Sequence, residues 1–272
     1  MKKTWCVACV LYVALLMTFT AIAQETTPVQ TPSEGIPTEI LPIVITGGVV
    51  GSLHGAKDLN QEIEYFNHDA RVVAQALDNL YAINMSLSGR VPDLTMSLGY
   101  YGSLLYKPFP SIGAGVEAEF LQIGTQGAVD ISTPEVGVQF TLDVTIPTFG
   151  VCGVLAFDPS DLFDTGSWIA SAQAGFGFYR TNAHSEKRIH LTGIEHFSLR
   201  DEVNVSVTES AWGSKASLSV GYQLNPNIIL KVVLASRQLV FKNAGINFND
   251  LADTVDLDLS GVCVAASIEL RF

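Results

Sequence analysis

The chain has 272 residues, 48% of them hydrophobic, and a formal net charge of −12 at pH 7. Phosphate binding needs a basic surface, so this balance excludes nucleic acid as a partner. Beyond the N-terminus no run of 18 apolar residues occurs, which excludes a transmembrane helix. Two uses remain for so much apolar side chain: a globular core, or strands that show lipid an apolar residue at every second position.

Residues 1–23 read as a secretory signal. Lys2 and Lys3 form its basic region, residues 5–22 its apolar region, and Ala21-Ile22-Ala23 its cleavage site. Cys6 and Cys9 fall inside it. Cys152 and Cys263 remain in an oxidising compartment, either as a disulfide or as two free thiols. Residues 24–42 carry Pro28, Pro32, Pro37 and Pro42 among Thr, Gln and Glu, the composition of a linker, here a periplasmic one. Residues 43–53 are the first predicted strand, with Ile43, Ile45, Val49 and Leu53 on one parity beside Gly47 and Gly51.

One amphipathic helix is predicted next, over residues 59–84. Asp58 is placed to cap it, and Ile63, Phe66, Ala70, Val73, Leu77 and Leu80 recur at helical spacing. Asn67-His68-Asp69 is a candidate break. Residues 54–93 thus form a helical insertion or plug, in the barrel interior, against an outer loop or along the membrane surface.

From Leu94 onward apolar and polar residues alternate. Runs are predicted at residues 94–106, 112–120, 136–146, 149–157, 168–178, 212–224 and 230–237, with a weaker one at 188–197. In each the apolar parity is assigned to lipid, Val138 and Leu218 included. The opposite parity, assigned to the lumen, carries Glu117, Glu119, Gln139, Asp143, Lys215, Lys231 and Arg237. With the first and last strands the runs number ten, and the connections between them alternate long and short, with Pro147-Thr148 as one short turn. An eight-strand count, without residues 43–53 and 188–197, is the alternative. Tyr106, Phe109, Phe149, Phe157, Trp168, Phe178, Trp212 and Phe241 fall near the run ends, where interfacial aromatic girdles belong.

The chain ends in Val262-Cys263-Val264-Ala265-Ala266-Ser267-Ile268-Glu269-Leu270-Arg271-Phe272. One parity is wholly apolar; the other ends in Glu269 and Arg271, two more lumen candidates. This strand resembles the C-terminal strand of bacterial outer-membrane β-barrel proteins. The resemblance implies an all-β, antiparallel transmembrane barrel over residues 43–272, located in the outer membrane. It also implies lipid as a partner, and Ile268, Leu270 and Phe272 as the signal read by the barrel-assembly machinery.

The function expected is a structural or surface-interaction barrel with a largely filled lumen. A narrow channel for a small polar or amphipathic solute is the alternative, and a barrel enzyme acting on lipid comes third; no enzyme is expected. His54, His68, His184, His190 and His196 show no metal-ligand spacing, and no cofactor is implied. Residues 158–161 and 250–258 read as solvated acidic loops.

Overall fold

A computed structural model describes residues 43–54, 56–81, 85–109, 111–133, 137–159, 166–192, 200–246 and 254–272. The expected signal (1–23) and linker (24–42) lie outside these residues. Ten strands and one helix follow in the order β1 (Ile43–His54), α1 (Lys57–Tyr81), β2 (Ser86–Gly89), β3 (Met96–Phe109), β4 (Ile112–Ser132), β5 (Gly137–Phe157), β6 (Trp168–Thr192), β7 (Arg200–Asn225), β8 (Ile228–Ile246), β9 (Thr254–Asp258) and β10 (Gly261–Arg271).

Eight of the strands make a ring. The ladder runs β10–β1–β3–β4–β5–β6–β7–β8, and β8 pairs again with β10; every pairing is antiparallel. The other two strands are short and lie on edges. β2 covers the far end of β4, and β9 the far end of β8.

The ten strands are not the ten expected. Residues 137–146 of one predicted run and 149–157 of the next are parts of one strand, β5, which runs straight through Pro147-Thr148. Residues 188–192 of the weakest predicted strand are the far end of β6, and residues 193–197 lie outside the described part. The expected alternation of connection lengths goes with them. Residues 158–167 join β5 to β6 at the same end as the two-residue turns 110–111 and 226–227, and not at the end of the long insertion.

The cause is an inversion of polarity partway along the strands. In β5 the same parity points inward throughout. It carries Val138, Leu142, Val144 and Ile146, all buried, and then Thr148 and Cys152. The outward parity carries Gln139, Thr141, Asp143 and Thr145, and then exposed Phe149, Val151, Leu155 and Phe157. Val138 therefore faces the interior, contrary to expectation. The switch from one apolar parity to the other imitates a turn, although the backbone makes none.

Neighbouring strands switch at the same level. β4 passes from inward Glu117 and Glu119 to inward Leu121 and Ile123, and β8 from Lys231 and Arg237 to Leu239 and Phe241. The outward residues change in step. Phe176 and Phe178 give way to Arg180, Asn182 and His184 on β6, and Leu218 and Trp212 to Ser210, Thr208 and Ser206 on β7. The register aligns these changes, pairing Phe120 with Phe149, Phe149 with Arg180, and Arg180 with Ser210. The molecule therefore has two storeys. The lower, at the turn end, is apolar outside and charged inside. The upper is polar outside and apolar inside.

The upper storey is not built by all eight strands. β4 to β7 have 21 to 26 residues, whereas β1, β3 and β10 have 11 to 14 and stop at the boundary. Helix α1 fills the space above the short strands. It is continuous, and Leu59, Ile63, Phe66 and Ala70 are buried in one cluster with Ile123, Val129, Leu142, Phe241 and Leu257. Val73 of the expected stripe is exposed, and Ala74 is buried in its place. Asn67 does not break the helix because its side chain is occupied elsewhere. It donates to the Val91 carbonyl at 3.1 Å and accepts from the Val91 N–H at 2.9 Å. Asn60, two turns earlier on the same face, does the same for Leu94 at 2.9 and 2.6 Å. Two carboxamides thus hold the segment 91–94 to the helix as a strand partner would, and Thr125 anchors it to β4 by donating to the Pro92 carbonyl at 2.7 Å.

Candidate functional site

The lower interior is where polar groups converge. Its floor is Asp158, the residue after β5, only 1% exposed. Lys107 Nζ at 2.9 Å and Arg271 Nη2 at 3.1 Å both reach Asp158 Oδ2. Arg271 Nε also donates to Glu269 at 2.8 Å, and Glu269 pairs with Lys231. Lys231 donates to Ser171 Oγ at 3.3 Å, and the Ser171 and Ser219 hydroxyls meet at 2.6 Å.

The ceiling lies just below the switch in polarity. Lys215 pairs with Glu117 at 2.7 Å and approaches Glu119 to 3.9 Å, with its ammonium 5.1 Å from the Tyr101 ring centroid. Arg237 is 1% exposed and spends its guanidinium on three partners: Glu119 at 3.2 Å, Ser52 Oγ at 3.0 Å and the Leu259 carbonyl at 3.3 Å. Tyr179 donates to the other Glu119 oxygen at 3.5 Å and receives the Cys152 thiol at 3.1 Å. The Tyr179 ring needs two glycines beside it. A Cβ on Gly150 would come within 2.2 Å of the ring, and one on Gly213 within 3.0 Å. Cys263 donates to Ser52 Oγ at 3.3 Å, and both cysteines are free and buried.

Between floor and ceiling is a cavity of about 20 Å³ lined by Thr46, Tyr101, Ser103, Glu117, Lys215 and Lys231 among others. That is room for one or two water-sized particles. The buried Thr46 and Ser103 hydroxyls have no protein partner and face this polar space. In the upper storey, outside this network, Lys242 and Asp256 form an exposed ion pair. It raises the lysine pKa, and with the Asn243 N–H it holds the Asp256 carboxyl below the usual range.

Seven of the residues assigned to the lumen therefore fall in two clusters, Glu117, Glu119, Lys215 and Arg237 at the ceiling and Lys231, Glu269 and Arg271 at the floor. Gln139 and Asp143 do not. They lie on the outward face of the upper part of β5, where Gln139 donates to Asp130 at 2.7 Å. Asp158 was expected in a solvated loop and is instead the most shared carboxylate at the floor. Asp158 and Lys107 were both within reach of the sequence pattern. Asp158 continues the inward parity of Cys152, Val154 and Ala156, and Lys107 that of Tyr101, Ser103 and Leu105. Carrying the alternation one step past each predicted run finds them.

Among the described residues no group of three or more His, Cys, Asp or Glu is placed to hold a metal ion. His54 is buried, with neither ring nitrogen bonded to a protein group, so it forms no nucleophile–base pair. His68, His184 and His190 are exposed, and His196 lies outside the described residues.

No family model matches the chain, and no curated protein matches it in sequence. Among solved structures it is similar to the outer membrane protein OprG from Pseudomonas aeruginosa, with a TM-score of 0.42 and 13% identity over 85% of this chain and 95% of that one. It is also similar to Ail, the attachment invasion locus protein of Yersinia pestis, crystallised with the heparin analogue sucrose octasulfate, with a TM-score of 0.40 and 10% identity over 85% and 97% of the two chains. A third is Neisserial surface protein A, with a TM-score of 0.30 and 9% identity over 85% and 97%. Likeness at this level says nothing of activity.

Proposed function

We propose that the ring is a closed outer-membrane β-barrel whose lower storey crosses the bilayer and whose upper storey stands outside the cell as a surface-interaction or structural unit, with a filled lumen. The observation that carries this reading is the inversion of polarity at one level in neighbouring strands. A water-soluble domain has no use for Leu218, Trp212, Phe176 and Leu155 at 60–66% exposure beside a charged interior. The apolar segments of the lower storey are about 9–13 residues long, near the roughly 9–11 with which a tilted strand spans a membrane. Aromatic residues mark both rims: Tyr106, Phe109, Trp168 and Tyr222 at the turn end, and Phe120, Phe149, Phe178 and Trp212 at the switch. On this reading residues 1–23 are a cleaved export signal, residues 24–42 lie in the periplasm, and Ile268, Leu270 and Phe272 form the signal for the barrel-assembly machinery.

The filled lumen rests on the ion pairs that cross it and on the apolar core stacked above them. Eight-stranded barrels are generally filled by their own side chains. The test has two parts. Thr208→Cys should react in intact cells with a membrane-impermeant maleimide, and Leu218→Cys should not; equal labelling of both would remove the bilayer assignment. The purified full chain should give no steady conductance in a planar bilayer. A stable current would replace the sealed barrel with a narrow channel.

A further inference from the structure

The outward face at the level of the switch holds one side chain that the rest of the network does not use. Arg180 on β6 is exposed and has no hydrogen bond or ion pair among the described residues. This is unusual in an acidic chain. The strand residues Lys107, Arg188, Lys215, Lys231, Arg237, Lys242 and Arg271 each have a carboxylate partner, and Lys187 lies over the Phe66 ring.

Its surroundings are specific. Across the ladder Arg180 is flanked by Phe149 and Ser210. Directly below are Phe178 and Trp212, whose rings meet edge to face at 5.6 Å, and Phe176, which stacks on Trp212 at 5.3 Å and 3°. Above it on the same face come Asn182, Ser206 and Thr208, with both hydroxyls donating to the Asn182 Oδ1. Along β5 and β6 the first described carboxylates on this face, Asp143 and Glu186, lie opposite each other six residues further on, roughly 20 Å away at about 3.3 Å per residue. A lone guanidinium thus stands on an aromatic shelf, with apolar surface below it and hydroxyls above.

We infer that Arg180, with the Phe149–Phe178–Trp212 shelf, is a binding site for the phosphate of an anionic lipid in the outer leaflet. This inference rests on the bilayer assignment proposed above. A guanidinium matches phosphate oxygens with paired N–H donors, and its weak hydration suits a site at the headgroup boundary. The aromatic faces below take the first part of the acyl chains, as aromatic residues do at membrane interfaces. Charge complementarity selects the occupant: the position is cationic, and among the described residues no carboxylate is paired with it.

The test uses the full chain with Trp212 as its single tryptophan (Trp5→Phe, Trp168→Phe), reconstituted in phosphatidylcholine vesicles. Brominated chains are carried either by the phosphatidylcholine or by an equal mole fraction of phosphatidylglycerol, and quenching of Trp212 is read. The anionic lipid should be preferred at Trp212 by about fivefold, the effect of one basic side chain at an anionic surface. Arg180→Gln should bring the preference to about one, and Lys242→Gln, at an exposed ammonium already paired with Asp256, should leave it unchanged. Equal quenching by both lipids in the Arg180 protein overturns the site and leaves the bilayer assignment standing. Loss of the preference in the Lys242 variant as well would mean general surface charge and also overturns it. Absence of quenching by either lipid removes the bilayer assignment itself.

Discussion

The two storeys share strands, register and twist, yet they solve opposite problems. In the upper storey Leu142, Ile146 and Phe241 are buried at 0% exposure against a helix, and Thr, Ser and Asn face outward. In the lower storey the outward face is apolar, and the inward face buries Glu119 at 2% and Arg237 at 1%. The backbone is indifferent to this exchange, because an antiparallel ladder only requires that alternate side chains leave on opposite faces. On the proposed bilayer assignment, what differs is the surrounding medium each half is built for. Each storey therefore has its own failure mode.

The largest effect is expected in the lower interior. Glu119→Ala leaves the Arg237 guanidinium buried with its main anionic partner gone, a loss of about 3–5 kcal/mol. Replacing Arg237 by Met in the same chain should restore most of it, measured by denaturant unfolding in detergent micelles. If the double variant is no more stable than the single, the pair is not the unit the geometry indicates.

Truncation separates the storeys next. Leu142→Ala opens a cavity in the upper core and should cost about 2–5 kcal/mol. Leu218→Ala removes the same atoms from an outward position that lipid refills, and should stay within about 0.5 kcal/mol of the parent. Charge separates them the other way. Leu218→Arg should cost about 2–4 kcal/mol of folding into vesicles, whereas Thr208→Arg, ten residues up the same strand and also outward, should change little. Equal tolerance of arginine at both positions would mean the two outer faces meet the same medium.

The smallest effect sharpens the role of α1. Asn67→Ala strands the Val91 N–H and carbonyl in a buried site, at a cost of about 1–3 kcal/mol. The loss should appear as faster hydrogen exchange in α1 and at Val91, Asp93 and Leu94, with the β10 ladder unaffected. Uniform loss of protection would instead make the two storeys one cooperative unit.

Much of this was legible in the alternation of residues, with one systematic error. Parity shows which face of a strand is apolar; it does not show what that face meets. In β10, β3 and the lower part of β4 the apolar parity is the outward one, and Glu117, Glu119 and Glu269 lie on the opposite, buried parity. In the upper part of β5 the apolar parity is the inward one, and Gln139, Asp143 and Val138 were assigned to the wrong faces. Pro147 made the error easy, since a proline between two runs of opposite parity reads as a turn. It is tolerated inside β5 because Gln122 opposes it at a position where the pairing to β6 skips from Thr145 to Thr148. The docking of α1 was not legible, because the partners of Asn60 and Asn67 are backbone groups of residues 91 and 94, which carry no mark in the sequence.

The buried charges also bear on how the ring is assembled. Arg237 meets Glu119 across 118 residues and Ser52 across 185, and Cys263 meets Ser52 across 211. Glu269 and Arg271, at the very end of the described chain, complete partners placed on β8 and just after β5. No hairpin on its own can neutralise its interior, so each intermediate with fewer strands carries uncompensated charge toward the place where its neighbours will be. Such an intermediate is costly to bring into a dry environment and gains little by stopping there. Contacts this distant in sequence are slow to form. The floor thus favours ring closure: Lys231 gains Glu269, and Asp158 gains Arg271, only when the last strand is in place.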